Sequence, residues 1–215
     1  EINEQPDTLD KTIRPRITDE YMINFESDGI KKDDEEFFKS IDKIQIVACG
    51  TALNAGKVGA SIFQDVLNIP VDDYIASEYR YSNTLTNDKT LVIVLSQSGE
   101  TIDTLASLTK AKADGAKVIG IINVKGSTIA RESDYVIYTH AGPEIAVAST
   151  KAYTVQVATI YLLLTYIAYL RERVDSEYVK NITKSLYNSI DIIKSSLKLE
   201  KEIKHVCRSI SESRD

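Results

Sequence analysis

An apolar run, Thr90-Leu91-Val92-Ile93-Val94-Leu95, ends in the hexapeptide Ser96-Gln97-Ser98-Gly99-Glu100-Thr101 and gives way to a helical pattern that continues to Lys112. A run of β-branched and aliphatic residues without polar alternation reads as a strand buried on both faces, the habit of a parallel sheet. A parallel strand followed by a helix requires a crossover fold. The hexapeptide then sits between the C-terminal end of a strand and the N-terminus of a helix. Free backbone N–H groups and the positive end of a helix dipole collect there, so phosphate groups bind there readily. The hydroxyls of Ser96, Ser98 and Thr101 add donors, and Gly99 lets the backbone come close. The same groups also serve as a helix cap. Ser98 is a normal N-cap residue, and Glu100 suits a first helical turn without any ligand. The loop holds no lysine and lacks the Walker A spacing, which points away from a nucleotide triphosphatase and toward a small phosphate monoester.

The strand–helix rhythm recurs along the chain. Residues 44–49, 71–76, 91–95, 118–124 and 135–139 read as strands. Residues 53–67 show helical spacing through Val58, Ile62, Phe63 and Val66, and a short helix is expected at 128–132. The pattern predicts a doubly wound α/β fold: a mainly parallel five-stranded sheet with helices on both faces, a flavodoxin-like three-layer sandwich. Residues 1–32 read as an extended, partly helical lead with turn signals at Pro6, Pro15 and Gly29, followed by a short helix at 33–40 carrying Phe37 and Phe38. The last third is helical, over 150–174, 176–197 and from 201 onward. Residues 209–215 read as an uncapped, charged helix end, as at a cut near a domain boundary. The expected division is a lead at 1–40, a central domain at 41–174 and C-terminal helices at 175–215. No internal repeat or low-complexity tract interrupts it.

Composition narrows the function. The 215 residues suffice for one large domain. Asp and Glu number 32 against 26 Lys and Arg, a net charge of -6, and no basic stripe is present, so nucleic acid is not expected as a partner. The two cysteines, Cys49 and Cys207, have no paired spacing, which speaks against a disulfide scaffold or a zinc site and for a reducing, cytoplasmic setting. Residues 1–6 are polar and acidic, unlike a signal peptide. Residues 152–170 carry no charge, and a membrane span needs about 20 apolar residues. Thr154, Gln156, Thr159 and Thr165 interrupt this stretch, and Tyr153, Tyr161, Tyr166 and Tyr169 are spread through it, as in a helix buried in a core or subunit interface rather than in lipid. Val155, Leu162 and Tyr166 share one side, while Ile160, Leu163, Leu164 and Ile167 spread over others. One sheet contact does not cover such a helix, so self-association, most simply a homodimer, is expected to bury the rest.

Ligands of open parallel sheets bind at the C-terminal strand ends, where strand order reverses. The first strand ends in Cys49-Gly50-Thr51-Ala52. The third ends in the Ser96 loop. The fifth leads into His140-Ala141-Gly142-Pro143-Glu144 and then Val147-Ala148-Ser149-Thr150-Lys151 at the start of the long helix. Three hydroxyl-bearing helix entrances on one sheet edge outline a pocket for a polyhydroxylated phosphate ligand. Groups for catalysis are sparser. His140 lies near the expected pocket, but a single His there is more often structural. Glu78 and Arg80 end the second strand and suffice for a mutual ion pair. Lys151 offers an amine or merely lines the pocket. Cys49 has no His partner and reads as inert. No triad, metal set or paired-carboxylate site is visible.

Taken together, Cys49-Gly50-Thr51, Ala76-Ser77-Glu78-Tyr79-Arg80-Tyr81, Ser96-Gln97-Ser98-Gly99-Glu100-Thr101-Ile102-Asp103-Thr104, Arg131-Glu132-Ser133-Asp134, Ala141-Gly142-Pro143-Glu144 and Val147-Ala148-Ser149-Thr150-Lys151-Ala152 resemble the sugar isomerase (SIS) domain family. Within it they are most similar to the first SIS domain of the glutamine–fructose-6-phosphate aminotransferases, also called glucosamine-6-phosphate synthases. The opening Glu1-Ile2-Asn3-Glu4-Gln5-Pro6 resembles the start of the isomerase half of that family, and the likeness covers essentially the whole chain. It implies binding of fructose 6-phosphate or glucosamine 6-phosphate, with Thr51, Ser96, Gln97, Ser98 and Thr101 mainly on the phosphate and the Val147 backbone and Ser149 on the sugar. Ala52 stands where the family usually has Ser, which removes one hydroxyl from the expected ligand set, and Lys151 is kept as a further lining residue. The resemblance implies no cofactor and no metal. It also implies that the catalytic lysine, Glu and His belong to a second SIS domain, and the glutaminase Cys to another domain, neither of which corresponds to anything in this sequence. This chain alone is then expected to be inactive. A stand-alone SIS isomerase or deglycase, and a phosphosugar-sensing module without turnover, are the alternatives.

Overall fold

The computed structural model describes residues 1–211, so the last part of the charged helix end expected at 209–215 lies outside the described residues. Five strands, β1 (Lys43–Ala48), β2 (Val71–Ile75), β3 (Thr90–Ser96), β4 (Lys117–Ile122) and β5 (Tyr135–Tyr138), form an all-parallel sheet in the order β2-β1-β3-β4-β5. The chain runs outward from β1 to β2, then crosses back to β3 and proceeds to β4 and β5. Strand order therefore reverses between β1 and β3, the position that opens a crevice at the carboxyl ends.

Helices α1 (Gln5–Ile13) and α2 (Glu35–Ser40) precede the sheet. Four more occupy its crossovers: α3 (Gly50–Leu67), α4 (Ala76–Tyr79), α5 (Ile102–Ala113) and α6 (Thr128–Glu132). Then come α7 (Lys151–Leu170), α8 (Ser176–Leu197) and α9 (Glu200–Ser211). Successive strand residues serve opposite faces. Ile44, Ile46, Leu91, Ile93, Leu95, Ile119 and Ile121 pack with α1, α3, α7 and α8. Val47, Val92, Val94, Val118 and Ile122 pack with α4, α5 and α6 through Tyr79, Leu108, Ala111 and Ile129. Each such side chain, fully buried, contributes about 1.5–3 kcal/mol of transfer free energy. Helix α3 sits close to both β1 and α7, because Gly59 presents no Cβ: one built there would lie 2.5 Å from Ile160 Cγ2.

Four expectations change. The lead is not extended; Pro6 starts α1, and Leu9 and Ile13, four residues apart, bury one face of it against α7 and α8. The buried Arg16 ties the rest of the lead to the sheet, donating to Asp28 and to the Tyr138 carbonyl at 2.8 Å. Second, α7 needs no partner subunit to cover it. Most of its residues are buried, and α1, α2, α3 and α8 enclose it, which accounts for its apolar composition without lipid or a second copy. It also ends at Leu170, not 174, because Glu172 adopts φ 55° and turns the chain into α8. Third, β2 stops at Ile75 and residues 76–79 form a helical turn, which buries Tyr79 so that its hydroxyl meets Gln45 Oε1 at 2.8 Å. Fourth, Arg80 pairs with Asp103 at 3.5 Å rather than with Glu78, because the turn carries the two side chains apart.

Candidate functional site

A cavity of about 260 Å³ opens at the β1/β3 reversal. Its walls are the β1–α3 turn (Cys49, Thr51, Ala52), the β3–α5 loop (Leu95, Ser96, Gln97, Ser98, Thr101), and the segment leading into α7 (Glu144, Ala146, Val147, Ser149), with Gln156 on α7 itself. Eight of the nine residues expected at the site are thus brought together: Thr51, Ala52, Ser96, Gln97, Ser98, Thr101, Val147 and Ser149.

The ninth, Lys151, is elsewhere. It is 2% exposed, donates to the Glu4 carboxylate, and borders a separate cavity with Glu1, Asp7, Lys11 and His140. The first turn of α7 points it at α1, a partner that only the folded lead supplies. His140 belongs to that second cavity too; its backbone N–H donates to Thr12 Oγ1 at 3.1 Å. Burial, reinforced by the nearby Arg16 charge, holds the His140 imidazole below its ordinary pKa.

Two helices enter the first cavity, at the β1/β3 reversal, without side-chain caps: α3, preceded by Cys49, and α5, preceded by Thr101. Their first-turn N–H groups are the unsatisfied donors that an anion completes. Ser98 is not a helix cap; its Oγ accepts from Glu100 N–H at 3.2 Å. Ser96 Oγ accepts from Gly99 N–H at 2.9 Å. Glu100 does not serve α5 either. Its carboxylate accepts from Thr128 N–H at 2.7 Å, capping α6, and that hydrogen bond holds it below the usual carboxylate range.

The third helix entrance differs. Glu144 occupies the N-terminus of α7, accepting from Thr150 N–H at 2.9 Å and from Ser149 Oγ at 2.7 Å. A carboxylate already sits on that dipole, so an anionic group belongs at α3 and α5, and the Ser149 side of the cavity suits neutral hydroxyls. Among the described residues, no Lys or Arg lines the cavity. The donors are hydroxyls, an amide and helix N-termini. This arrangement can hold and orient a phosphate monoester, and it contains no paired acid and base for proton transfer.

Sequence reasoning passed over Gln156, which is 3% exposed. A signal existed: it is an amide in the first two turns of a largely apolar helix whose entrance carries Ser149. Glu144 was visible only within a motif, because its capping role depends on the loop folding back.

The comparisons agree with this architecture. The SIS domain family model matches residues 37–166. The chain is 42% identical, over its whole length, to a glutamine–fructose-6-phosphate aminotransferase (isomerizing) of Clostridium perfringens, of which it covers 35%. It is 48% identical over 186 residues to the enzyme of the same name from Caldanaerobacter subterraneus, covering 30% of it. The chain therefore spans about a third of the length of these relatives. It superposes with a TM-score of 0.90 and 36% identity on the C-terminal domain of glucosamine-fructose-6-phosphate aminotransferase from Francisella tularensis, over 99% of this chain and 58% of that one. With the match running from α2 into α7 and enclosing the whole sheet and its cavity, the chain belongs to the SIS domain family.

Proposed function

We propose that this chain is the first SIS domain of an isomerising glutamine–fructose-6-phosphate aminotransferase and that it binds fructose 6-phosphate and its product glucosamine 6-phosphate. One observation carries the reading. Two uncapped helix N-termini and the hydroxyls of Thr51, Ser96, Ser98 and Thr101 converge on one cavity at the sheet's reversal point. Phosphate takes that end, and the sugar extends toward Val147, Ser149 and Glu144. Ala52 leaves a methyl where the family's Ser would add a donor, so the remaining hydroxyls carry the anion.

The whole polypeptide, on this reading, makes glucosamine 6-phosphate from fructose 6-phosphate and glutamine. A glutaminase domain supplies ammonia. A second SIS domain supplies the imine-forming lysine and the acid–base groups, which this cavity lacks. Residues 1–40 are a lead that clamps the site, 41–174 the SIS domain, and 175–215 the helices leading to the second SIS domain. The assembly is a homodimer in the cytoplasm, where the unpaired Cys49 and Cys207 stay reduced.

Calorimetry on the 215-residue chain tests this. Fructose 6-phosphate and glucosamine 6-phosphate should bind, fructose should not, and no glucosamine 6-phosphate should form when ammonia is added. Failure to bind either phosphosugar overturns the assignment, and turnover by this chain alone would place the catalytic residues here.

A further inference from the structure

Gln156 is a buried polar side chain without a protein partner. It is 3% exposed, it lines the phosphosugar cavity, and its amide makes no hydrogen bond to any described residue. Its neighbours on α7 behave otherwise. Thr154 Oγ1 donates to Gln5 Oε1 at 2.7 Å, and Thr159 Oγ1 donates to the Val155 carbonyl at 2.7 Å. The described residues that do seal off an unpartnered polar atom are Thr104, Ser127, Thr165 and Arg171, and Gln156 is not one of them: the little surface its amide keeps opens onto the cavity, where a bound molecule is the partner it can take.

We infer that Gln156 is a sugar-reading residue: its amide hydrogen-bonds a hydroxyl of the bound phosphosugar's carbon chain and not its phosphate. This deepens the reading under Proposed function and rests on it. The chemistry of the group selects the partner. A carboxamide carries a donor and an acceptor and no charge. A hydroxyl answers both, whereas a phosphate dianion answers only the donor and repels the amide oxygen. Position agrees. The α3 and α5 entrances already offer the anion its donors, and Gln156 stands on α7, the wall that also carries Ser149. The α7 entrance is taken by Glu144, which excludes a second anion there and leaves hydroxyls as the groups that side can receive.

The test is calorimetry with fructose 6-phosphate and with inorganic phosphate on the 215-residue chain and two variants. Gln156→Met keeps the volume and removes both hydrogen-bonding atoms. It should bind fructose 6-phosphate about tenfold more weakly and inorganic phosphate as the parent does, with an unchanged melting temperature because no protein hydrogen bond is lost. Ser98→Ala should weaken both ligands. Equal fructose 6-phosphate affinity in Gln156→Met and the parent overturns this inference while leaving the function intact. Equal loss of both ligands overturns it too, by making Gln156 part of the phosphate site or of the fold. Gln156→Leu, judged by the same ratio of the two affinities, replaces the Met variant if that one does not fold. A parent chain that binds no phosphosugar overturns the functional reading and this inference with it.

Discussion

Ser96 Oγ and Thr101 Oγ1 lie 3.1 Å apart, closing the loop between β3 and α5 into a ring whose two ends are a strand terminus and a helix start. Ser96 is 3% exposed and also accepts the Gly99 N–H, so it is committed to the loop itself. Ser98 accepts only a neighbouring backbone N–H and keeps its own proton for a ligand.

The two serines should therefore separate when mutated. Ser98→Ala should lose about 1.5–3 kcal/mol of phosphosugar binding, the worth of a hydrogen bond to a charged group, with little change in melting temperature. Ser96→Ala should lose binding and stability together, because it strands the Gly99 N–H. Calorimetry and thermal melts on both variants decide the matter. Equal behaviour of the two would show that the ring does not divide the roles in this way.

Gly99 stands at φ 67°, and a Cβ built on it would come within 2.0 Å of Ser127 Oγ and 2.9 Å of Ile122 Cγ2. Both the left-handed backbone and the contact forbid a side chain there. Gly99→Ala should cost roughly 2 kcal/mol or more of stability and abolish phosphosugar binding, since the loop must shift away from α6. Adding Ser127→Gly removes the nearest obstruction and should restore part of the stability. Full stability of the single variant in denaturant titrations would rule out a tightly seated loop.

Much of the sheet and its cavity is legible in the sequence, for a physical reason. Strands such as β3, buried on both faces, are unbroken apolar runs, and their ends can be read to within a residue or two. The loops at their carboxyl ends in a parallel sheet fall on one edge by topology, so Thr51, Ser96 and Val147 can be grouped without coordinates. Long-range direction is what the sequence hides. Lys151 turns toward Glu4, 147 residues away in the chain. Glu100 reaches α6, and Glu144 folds back onto α7. Such side chains have several local options, and only the packed lead and crossovers select one.

That lead also gives the site a pH response. Glu1 accepts the N–H groups of Ile145 at 2.6 Å and Ala146 at 3.2 Å, and Glu4 accepts from Lys151, so α1's end holds the segment carrying Val147 and Ser149. The Ile145 N–H lowers the Glu1 pKa, and the Lys151 hydrogen bond and charge lower that of Glu4. Folded values below the unfolded value of about 4.3 mean a tie fully formed above that pH and lost as the pH falls through the lowered values. The amide resonances of Ile145 and Ala146 should accordingly titrate with midpoints under about 4.3. Midpoints at or above it would show that the carboxylates do not grip the loop.

The face that invites a second copy is not α7 but the end of the chain. Ile192, Leu199, Ile203, Val206 and Ile210 are each more than half exposed. Leu199, in the turn just before α9, and Ile203, Val206 and Ile210 are spaced four, three and four residues apart and form one stripe along α9, while Ile192 is exposed near the end of α8. Contiguous exposed apolar surface of this kind marks an interaction site. The 215-residue chain should self-associate through it, forming a dimer in sedimentation at micromolar to millimolar concentration. Replacing Ile203 and Val206 together by Lys places two charges in the stripe and should return the chain to monomer without lowering phosphosugar affinity, because neither residue lines the cavity. A parent chain that sediments as a monomer across that range sinks the homodimer through this face. A double variant that still dimerises moves the contact elsewhere on the molecule.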